Sequence, residues 1–594
     1  TTKWLQWQRI DESQGKPASI YFLGLFYTSL TCEWSTSSSP TPDKVFLEAC
    51  DVYFRHCHNK PYGFFNAKLF KIKVAQNQIP LHLRLALIAC ATRYSSRSQW
   101  KERKQSTIDG YARGAWELIM SSPDGLDAGE DVSLIQTLAI LGVIDATAGR
   151  RRGAWVKIGM AVRISQDLNM MAEPSSNLSS LEQDERRNLF WSLYLLDRFV
   201  CCSFDRPPAI KDSDCHLNLP LNHNSTQPKS PHTMHDLLSR NSLSASQGLG
   251  LFAISVGLAS VLGRAVKFMM TTRPDPQTPW HEDSDFSTIH ADLEHLKELA
   301  IKNAPVLAEP GQPRSQNDME DTDREQTAHM VLSHTIYHLT HCILSHPFLL
   351  ALKTQNYQCS DIPSSWLEET RATCLVHAGS LVTVLVEAKA AGYMPVPSVY
   401  SYCILFASTI HALYLYSESP AISTGSAEYL RTALDYLSEI SELWCNAQMM
   451  ANALKSFVIQ CSRYSDILLC HKPRLHELTQ TETTILTAVV DYWTMMDPRN
   501  PVFDLAPFNA DNFPDFSDKE FGYLTPPTTS GLENIIVTED SLEYSTPRHK
   551  EASSIDPDII LHYPAPMMSP ILSEAGGSPH WDWDNELDSL TENK

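Results

Sequence analysis

Apolar residues recur at three- and four-residue spacing through most of the first 496 positions, and no comparable set of alternating segments appears. The pattern predicts helices at Leu81 to Tyr94, Ile108 to Met120, Val132 to Ala148, Gly153 to Met170 and Glu182 to Cys202. It resumes at Met330 to Leu350, Ser365 to Ala391, Val399 to Tyr416, Ser426 to Leu454, Ser456 to Leu469 and Thr481 to Met496. Gly, Pro and Ser runs separate these segments. The fold class is all-α: a large multi-helix domain whose helices are too apolar to stand alone and whose short loops suit antiparallel neighbours.

Two inserts break the pattern. Residues 223–247 are rich in Ser, Asn, His and Pro, and residues 271–327 mix Pro with an acidic run, Asp318 to Glu325, around an amphipathic piece near Ile289 to Ile301. Neither is hydrophobic enough to pack throughout, so both are expected as exposed, partly disordered loops. Asn241 to Gly263 and Ala390 to Ser417 lack charge for long enough to raise a membrane question. Interior Ser, Thr, Gln and His residues, with Pro395 and Pro397 in the second, favour buried core helices and no membrane partner.

After Met496 the character changes. Residues 497–594 hold 19 acidic and 5 basic residues, so 14 of the 21 excess negative charges lie there. Interleaved are Phe513, Phe516, Trp581, Trp583, Leu587 and Leu590. Acidic neighbours keep such side chains in water and available, which is the composition of a disordered activation segment that folds onto a partner groove. The remainder of the 594-residue chain carries only -7, so its acidity does not exclude an attached DNA-binding segment, although the chain would not coat nucleic acid unspecifically. No apolar run suited to a secretory signal occupies the first 20 residues, and 14 dispersed cysteines without a CxxC pair read as free thiols of a reducing compartment. The reading divides the chain into an irregular segment at 1–44, a helical domain at 45–480, a last helix at 481–496 and the tail at 497–594.

Residues 182–220, EQDERRNLFWSLYLLDRFVCCSFDRPPAIKDSDCHLNLP, follow a helix in which Ala154, Ile158, Ala161 and Ile164 make a narrow small-residue stripe. A bulkier stripe, Leu189, Phe190, Leu193, Leu196 and Val200, is expected to fill the facing groove. Guanidinium and carboxylate pairs would fix the turn that follows. This constellation resembles the regulatory, or middle homology, domain of fungal-specific transcription factors, whose DNA-binding part is a binuclear zinc cluster. Glu185, Arg186, Arg187, Phe190, Trp191, Tyr194, Asp197, Arg198, Arg206, Pro207, Ile210, Asp212 and Asp214 match the family pattern, while Asp205 stands where the family prefers Gly. Asp51 to Phe65 looks like the domain start and Ile336 to Leu349 like a recurring later helix, so the resemblance spans roughly residues 45 to 480. It implies an all-α regulatory domain of a nuclear regulator acting at RNA polymerase II promoters.

The family's DNA-binding unit would bring two zinc ions held by six cysteines as a repeated CxxCx6C, and no such array is present in this chain. Only LTCEW at 30–34 resembles the end of a cluster, which makes the irregular N-terminal segment a remnant of a lost cluster region or leaves the chain a member without one. No cofactor is expected in this chain, and promoter DNA is a partner only if a cluster lies upstream.

His334, His338 and His341 share a helix face and could hold a metal with Cys342, although filling a helix interface is the plainer role. Cys50 and Cys57, seven apart, are read as one buried helix face. Arg150, Arg151 and Arg152 are too few for a nucleic-acid patch and suit a helix start. No GxSxG, HExxH, P-loop or GxGxxG pattern asks for catalysis, so no catalytic residues are assigned. The functional expectation is a nuclear transcription regulator with a helical control domain and an acidic tail that recruits coactivators, alone or as a homo- or heterodimer. The alternative is a cluster-less cofactor or dominant-negative protein that pairs with another regulator.

Overall fold

The computed structural model describes residues 44–95, 103–122, 131–204, 206–220, 232–239, 249–271, 278–303, 321–358, 361–390, 393, 398–470 and 473–495, with only the backbone of 321–324. Phe513, Phe516, Trp581, Trp583, Leu587, Leu590, Asp205 and parts of the two inserts, 223–231, 240–247, 272–277 and 304–320, lie outside the described residues.

Among the described residues the secondary structure is helical. The helices are α1 Lys44–His56, α2 Ala67–Ala75, α3 Leu81–Thr92, α4 Lys104–Ser121, α5 Ser133–Thr147, α6 Arg151–Asp167 and α7 Ser180–Val200. Then come α8 Met234–Leu238, α9 Leu251–Met269, α10 Asp285–Asn303, α11 Asp321–Ser345 and α12 Pro347–Thr354. The last group is α13 Ser364–Ala390, α14 Val399–Tyr414, α15 Pro420–Ser441, α16 Cys445–Val458, α17 Cys461–Leu468 and α18 Gln480–Val490, with short 3-10 turns at Asp212–Asp214 and Leu475–Glu477.

The local chemistry explains several boundaries. Ser179 and Glu182 form a reciprocal capping box that starts α7, and Thr233 with Asp236 and Thr479 with Glu482 do the same for α8 and α18. The segment read as one helix from Met330 to Leu350 breaks at His346, whose ring accepts from the Phe348 N–H while Pro347 opens α12. The segment Ser426 to Leu454 breaks at Trp444, an extended residue (φ -128°, ψ 109°) whose buried indole lies under the Arg93 guanidinium at 4.0 Å. The last helix stops at Val490, six residues short of the predicted end, because Asp491 turns out of the helix to serve other partners.

One apolar core runs through the helices. All sixteen residues of α14 are buried, and this helix meets α11, α13, α15, α16, α17 and α18. The small-residue stripe of α6 packs chiefly against α5 and less against α7, which corrects the expected pairing. At that crossing a Cβ on Gly142 would stand 2.6 Å from Ile158 Cγ1, so only glycine permits the approach. Ile164, the last stripe residue, is only half-buried. α9 and α13 are long and apolar enough to cross a membrane, but most of the apolar window of α9 is buried inside the protein and α13 is buried along one face. The amphipathic piece near Ile289 to Ile301 is α10, which packs on α9 through Ile289, Leu293 and Leu296.

Candidate functional site

The residues matching the 185–214 pattern are built outward from α7. Its buried face carries Leu189, Phe190, Trp191, Leu193, Leu195 and Leu196 into the core, and burial of this size is what fixes the helix. The polar residues of the same helix then reach segments far away in the chain.

At the C-terminal end of α7 sit Asp197 and Arg198, each about 3% exposed. Asp197 accepts the Ala209 and Ile210 N–H groups, both at 3.1 Å, which clamps the turn that follows Arg206 and Pro207. Arg198 donates to Asp197 Oδ2 at 2.9 Å, to the Ile210 carbonyl at 2.8 Å and to Asp212 Oδ1 at 2.6 Å. The Tyr194 hydroxyl and the Ser260 hydroxyl of α9 each donate to Asp212 at 2.6 Å. The guanidinium also covers the Tyr194 ring at 4.1 Å, and Gly263 of α9 leaves room for its stem, since a Cβ there would lie 2.8 Å from Arg198 Cδ.

Electrostatically this is two carboxylates sharing one cation. Burial pushes the Asp197 carboxyl up, partly offset by Arg198 and the two N–H donors. Burial acts the same way on Asp212, but Arg198 and the Ser260 and Tyr194 hydroxyls outweigh it and hold the carboxyl below the ordinary range. Burial lowers the Arg198 guanidinium, and the Tyr194, Asp212 and Asp197 oxygens reverse that direction to upward. The geometry suits a rigid clasp.

The other motif residues extend the clasp. Trp191 Nε1 donates to the Asn218 carbonyl at 2.8 Å, and the Asn218 N–H donates to Glu173, which pairs with Arg187 at 2.7 Å. Buried Glu185 takes Lys73 at 3.2 Å and the Asn66 N–H at 3.3 Å, while the Gly63 N–H donates to Ser192 at 2.8 Å. Asp214 is exposed and accepts only from the neighbouring Ser213 hydroxyl at 2.8 Å, and Pro207 is exposed, so neither joins the network. Arg186 is half-buried on the outer side of α7. Among the described residues Arg206 forms no carboxylate salt bridge: its guanidinium lies between Trp155 at 4.8 Å and Trp493 at 4.7 Å, and burial pulls its pKa down.

Trp493 belongs to a part of the site that the sequence pattern missed. Beyond α18, Asp491 accepts the Ser203 hydroxyl and the Phe204 N–H, the latter at 2.9 Å. The Tyr492 N–H reaches the Cys202 carbonyl at 3.0 Å, and Trp493 Nε1 reaches the Val200 carbonyl at 2.7 Å. The end of the described chain is thereby fastened to the end of α7. A DYW sequence after an apolar helix was the available signal, but nothing in spacing links it to a turn almost 290 residues earlier.

Other candidates resolve into packing. His338 pairs with His377 of α13 through their Nδ1 atoms at 2.9 Å, and His341 stacks on His377 with centroids 3.9 Å apart. Burial lowers the pKa of His334, His338 and His341, so they are neutral interior rings. Among the described residues no three His, Cys, Asp or Glu side chains are arranged to hold a metal ion. Cys50 is buried in the core, whereas Cys57 lies past the end of α1 and faces Cys90, so the expectation that both share one buried helix face is corrected. Arg150 pairs with Asp145 at 2.7 Å and Asp109 at 2.8 Å at the start of α6.

Residues 50–298 match the family model of the fungal specific transcription factor domain. An uncharacterized transcriptional regulatory protein of Schizosaccharomyces pombe is 26% identical over 362 residues, covering 57% of this chain and 35% of the relative. A Zn(2)-C6 fungal-type transcription factor of Fusarium oxysporum f. sp. lycopersici is 19% identical over 425 residues, covering 66% of this chain and 43% of the relative. A second uncharacterized transcriptional regulatory protein of Schizosaccharomyces pombe is 23% identical over 293 residues, 44% of this chain and 34% of the relative. This chain thus spans well under half the length of the curated relatives it matches. No solved structure matches. The α7 clasp lies inside the matched region.

Proposed function

We propose that this chain is a transcription regulator that works in the nucleus at RNA polymerase II promoters, with the helical domain as its control element and residues 497–594 as an acidic segment that recruits coactivators. The observation that carries the reading is the clasp of Tyr194, Asp197, Arg198 and Asp212 within the matched family region, a structural arrangement with no catalytic geometry. The tail supports it by composition: Phe513, Phe516, Trp581, Trp583, Leu587 and Leu590 stand among 19 acidic residues.

Promoter contact would require a binuclear zinc cluster. Such a cluster takes six thiolates in paired CxxCx6C arrays. The described cysteines are dispersed over separate helices and mostly buried, so they do not fit that role, and no step of the proposal runs through zinc.

The test is a fusion of residues 497–594 to an unrelated DNA-binding domain, read by a reporter gene. Activation is expected, and Trp581→Ala with Trp583→Ala is expected to abolish most of it. A silent fusion, or one indifferent to both substitutions, refutes the assignment of the tail.

A further inference from the structure

Leu196, Phe199 and Val200 of α7 line a cavity of about 70 Å³ whose other wall holds two sulfur atoms. Cys57, in the turn after α1, and Cys90, in α3, place their Sγ atoms 3.7 Å apart, and both are half-buried rather than sealed in the core. Lys60 lines the same space, and Arg93 next to Cys90 is fixed by donating to the Leu443 carbonyl at 2.6 Å and by covering Trp444 at 4.0 Å. We infer that Cys57 and Cys90 are a modification site: a dithiol that a small hydroperoxide entering this cavity converts to a disulfide, fastening the end of α1 to α3. The inference goes beyond the transcriptional reading and does not rest on it.

Either sulfur can donate the hydrogen bond that joins them. That bond, with Arg93 beside it, favours a lowered Cys90 pKa against the effect of burial. The same hydrogen bond and burial push the Cys57 thiol up. With the shared proton on Cys57, Cys90 is the attacking thiolate and Cys57 the resolving thiol. In the first step the Cys90 sulfur attacks the terminal peroxide oxygen, an S–O bond forms as the O–O bond breaks, and the departing alkoxide takes up the proton that Cys90 released, leaving as an alcohol. In the second, the Cys57 sulfur displaces that oxygen from Cys90, the S–S bond forms, and hydroxide leaves with the Cys57 proton as water. Two thiols are oxidised and one hydroperoxide is reduced. The sulfurs must close from 3.7 Å to about 2.05 Å, a movement that a turn beyond a helix end accommodates more readily than a helix interior.

The other described cysteines set the contrast. Cys50 and Cys374 are buried, with burial as the main cause raising both thiols, Cys374 to about 12. Exposed Cys445 has an amide oxygen, Gln105 Oε1, as its neighbour at 3.7 Å instead of a second thiol. The purified full chain, treated with hydrogen peroxide, quenched with an alkylating agent and mapped without reduction, is expected to yield a peptide pair joined through Cys57 and Cys90. That pair should form about tenfold faster than Cys445 is oxidised and should be reversed by dithiothreitol. Cys57→Ser is expected to stop at a Cys90 sulfenic acid that dimedone traps, and Cys90→Ser to protect Cys57. Oxidation of Cys90 no faster than Cys445, linkage of other cysteines first, or unchanged oxidation of Cys57 in Cys90→Ser would each overturn the proposal. Should a serine variant fail to fold, the map of the unmodified protein decides alone.

Discussion

Arg198→Met tests the clasp most directly, because methionine keeps the apolar stem beside Gly263 while deleting every donation the guanidinium makes. Three bonds are lost: to Asp197 at 2.9 Å, to the Ile210 carbonyl at 2.8 Å and to Asp212 at 2.6 Å. Hydrogen bonds to charged groups contribute about 1.5–3 kcal/mol each and neutral ones about 1 kcal/mol, which would set an upper range near 7 kcal/mol. Two features reduce it. Asp197 keeps the Ala209 and Ile210 N–H groups, and Asp212 keeps two hydroxyl donors and has a side chain about 33% exposed to water. The expected loss is therefore about 3–5 kcal/mol, the range for breaking one partner out of a buried pair. Urea unfolding followed by circular dichroism should show the lower midpoint with an unchanged slope. Because the lost charge is shared, Arg198→Met combined with Asp212→Asn should cost about 1–3 kcal/mol less than the sum of the single changes. A loss below about 1 kcal/mol, or strict additivity, would refute the claim that one guanidinium holds both carboxylates.

Asp491→Ala removes the acceptor for the Ser203 hydroxyl and for the Phe204 and Thr494 N–H groups. About 2–4 kcal/mol should be lost locally, and limited proteolysis should cut near residues 491–495 before the core opens, so an unchanged digestion pattern argues against the tether. Acid should destabilise the domain through its buried imidazoles: burial lowers His329 and His411 to about 4 and His346 to about 3. Their unfolded pKa is about 6.5, so the unfolded chain binds more protons below that pH; stability is fully present above 6.5 and is lost as pH falls toward the folded values. At pH 5 each ring should cost about 2 kcal/mol, and a denaturation midpoint that stays flat between pH 7 and pH 5 would contradict their neutral burial.

Helix existence was readable because long apolar stretches such as Val132 to Ala148 are decided by burial, which the apolar pattern records. Breaks within continuous apolar runs were not. Nothing in Ser426 to Leu454 announces that Trp444 would rather lie under Arg93 than continue a helix, since the partner sits some 350 residues earlier in the chain. The same limit hid the site's outer parts. Asp197, Arg198 and Asp212 could be named together because they are near in sequence, and the structure joins them. Ser260, Gly263, Asp491 and Trp493 complete the arrangement from helices whose approach only tertiary packing sets. The unlike fates of Asp212 and Asp214, one held by three groups and one exposed, follow from the 3-10 turn that points only the first at Arg198.

The tail begins two residues after Met495, so whatever holds residues 491–495 also holds its root. Asp491 is locked by its own carboxylate, which accepts several donors, whereas Arg206, lying between the Trp493 and Trp155 rings, reaches the segment through the Trp493 face and the charge of Asp491, and among the described residues its Nη1 is buried without an acceptor. A cation between aromatic faces is worth about 0.5–2 kcal/mol, less than the buried pair of Arg198 with Asp197. The Arg206 sandwich is thus the weaker contact at the root of the tail, and its loss loosens the segment while Asp491 and the Trp493 indole bond still hold it. Arg206→Ala should leave the urea midpoint of the core within about 1 kcal/mol of the parent, yet speed hydrogen exchange at the Tyr492 N–H, now bonded to the Cys202 carbonyl, by about tenfold. Exchange at Tyr492 that stays as slow as in the parent would show that Asp491 and the Trp493 indole bond hold the segment without Arg206, and the root of the tail would then move only with the core.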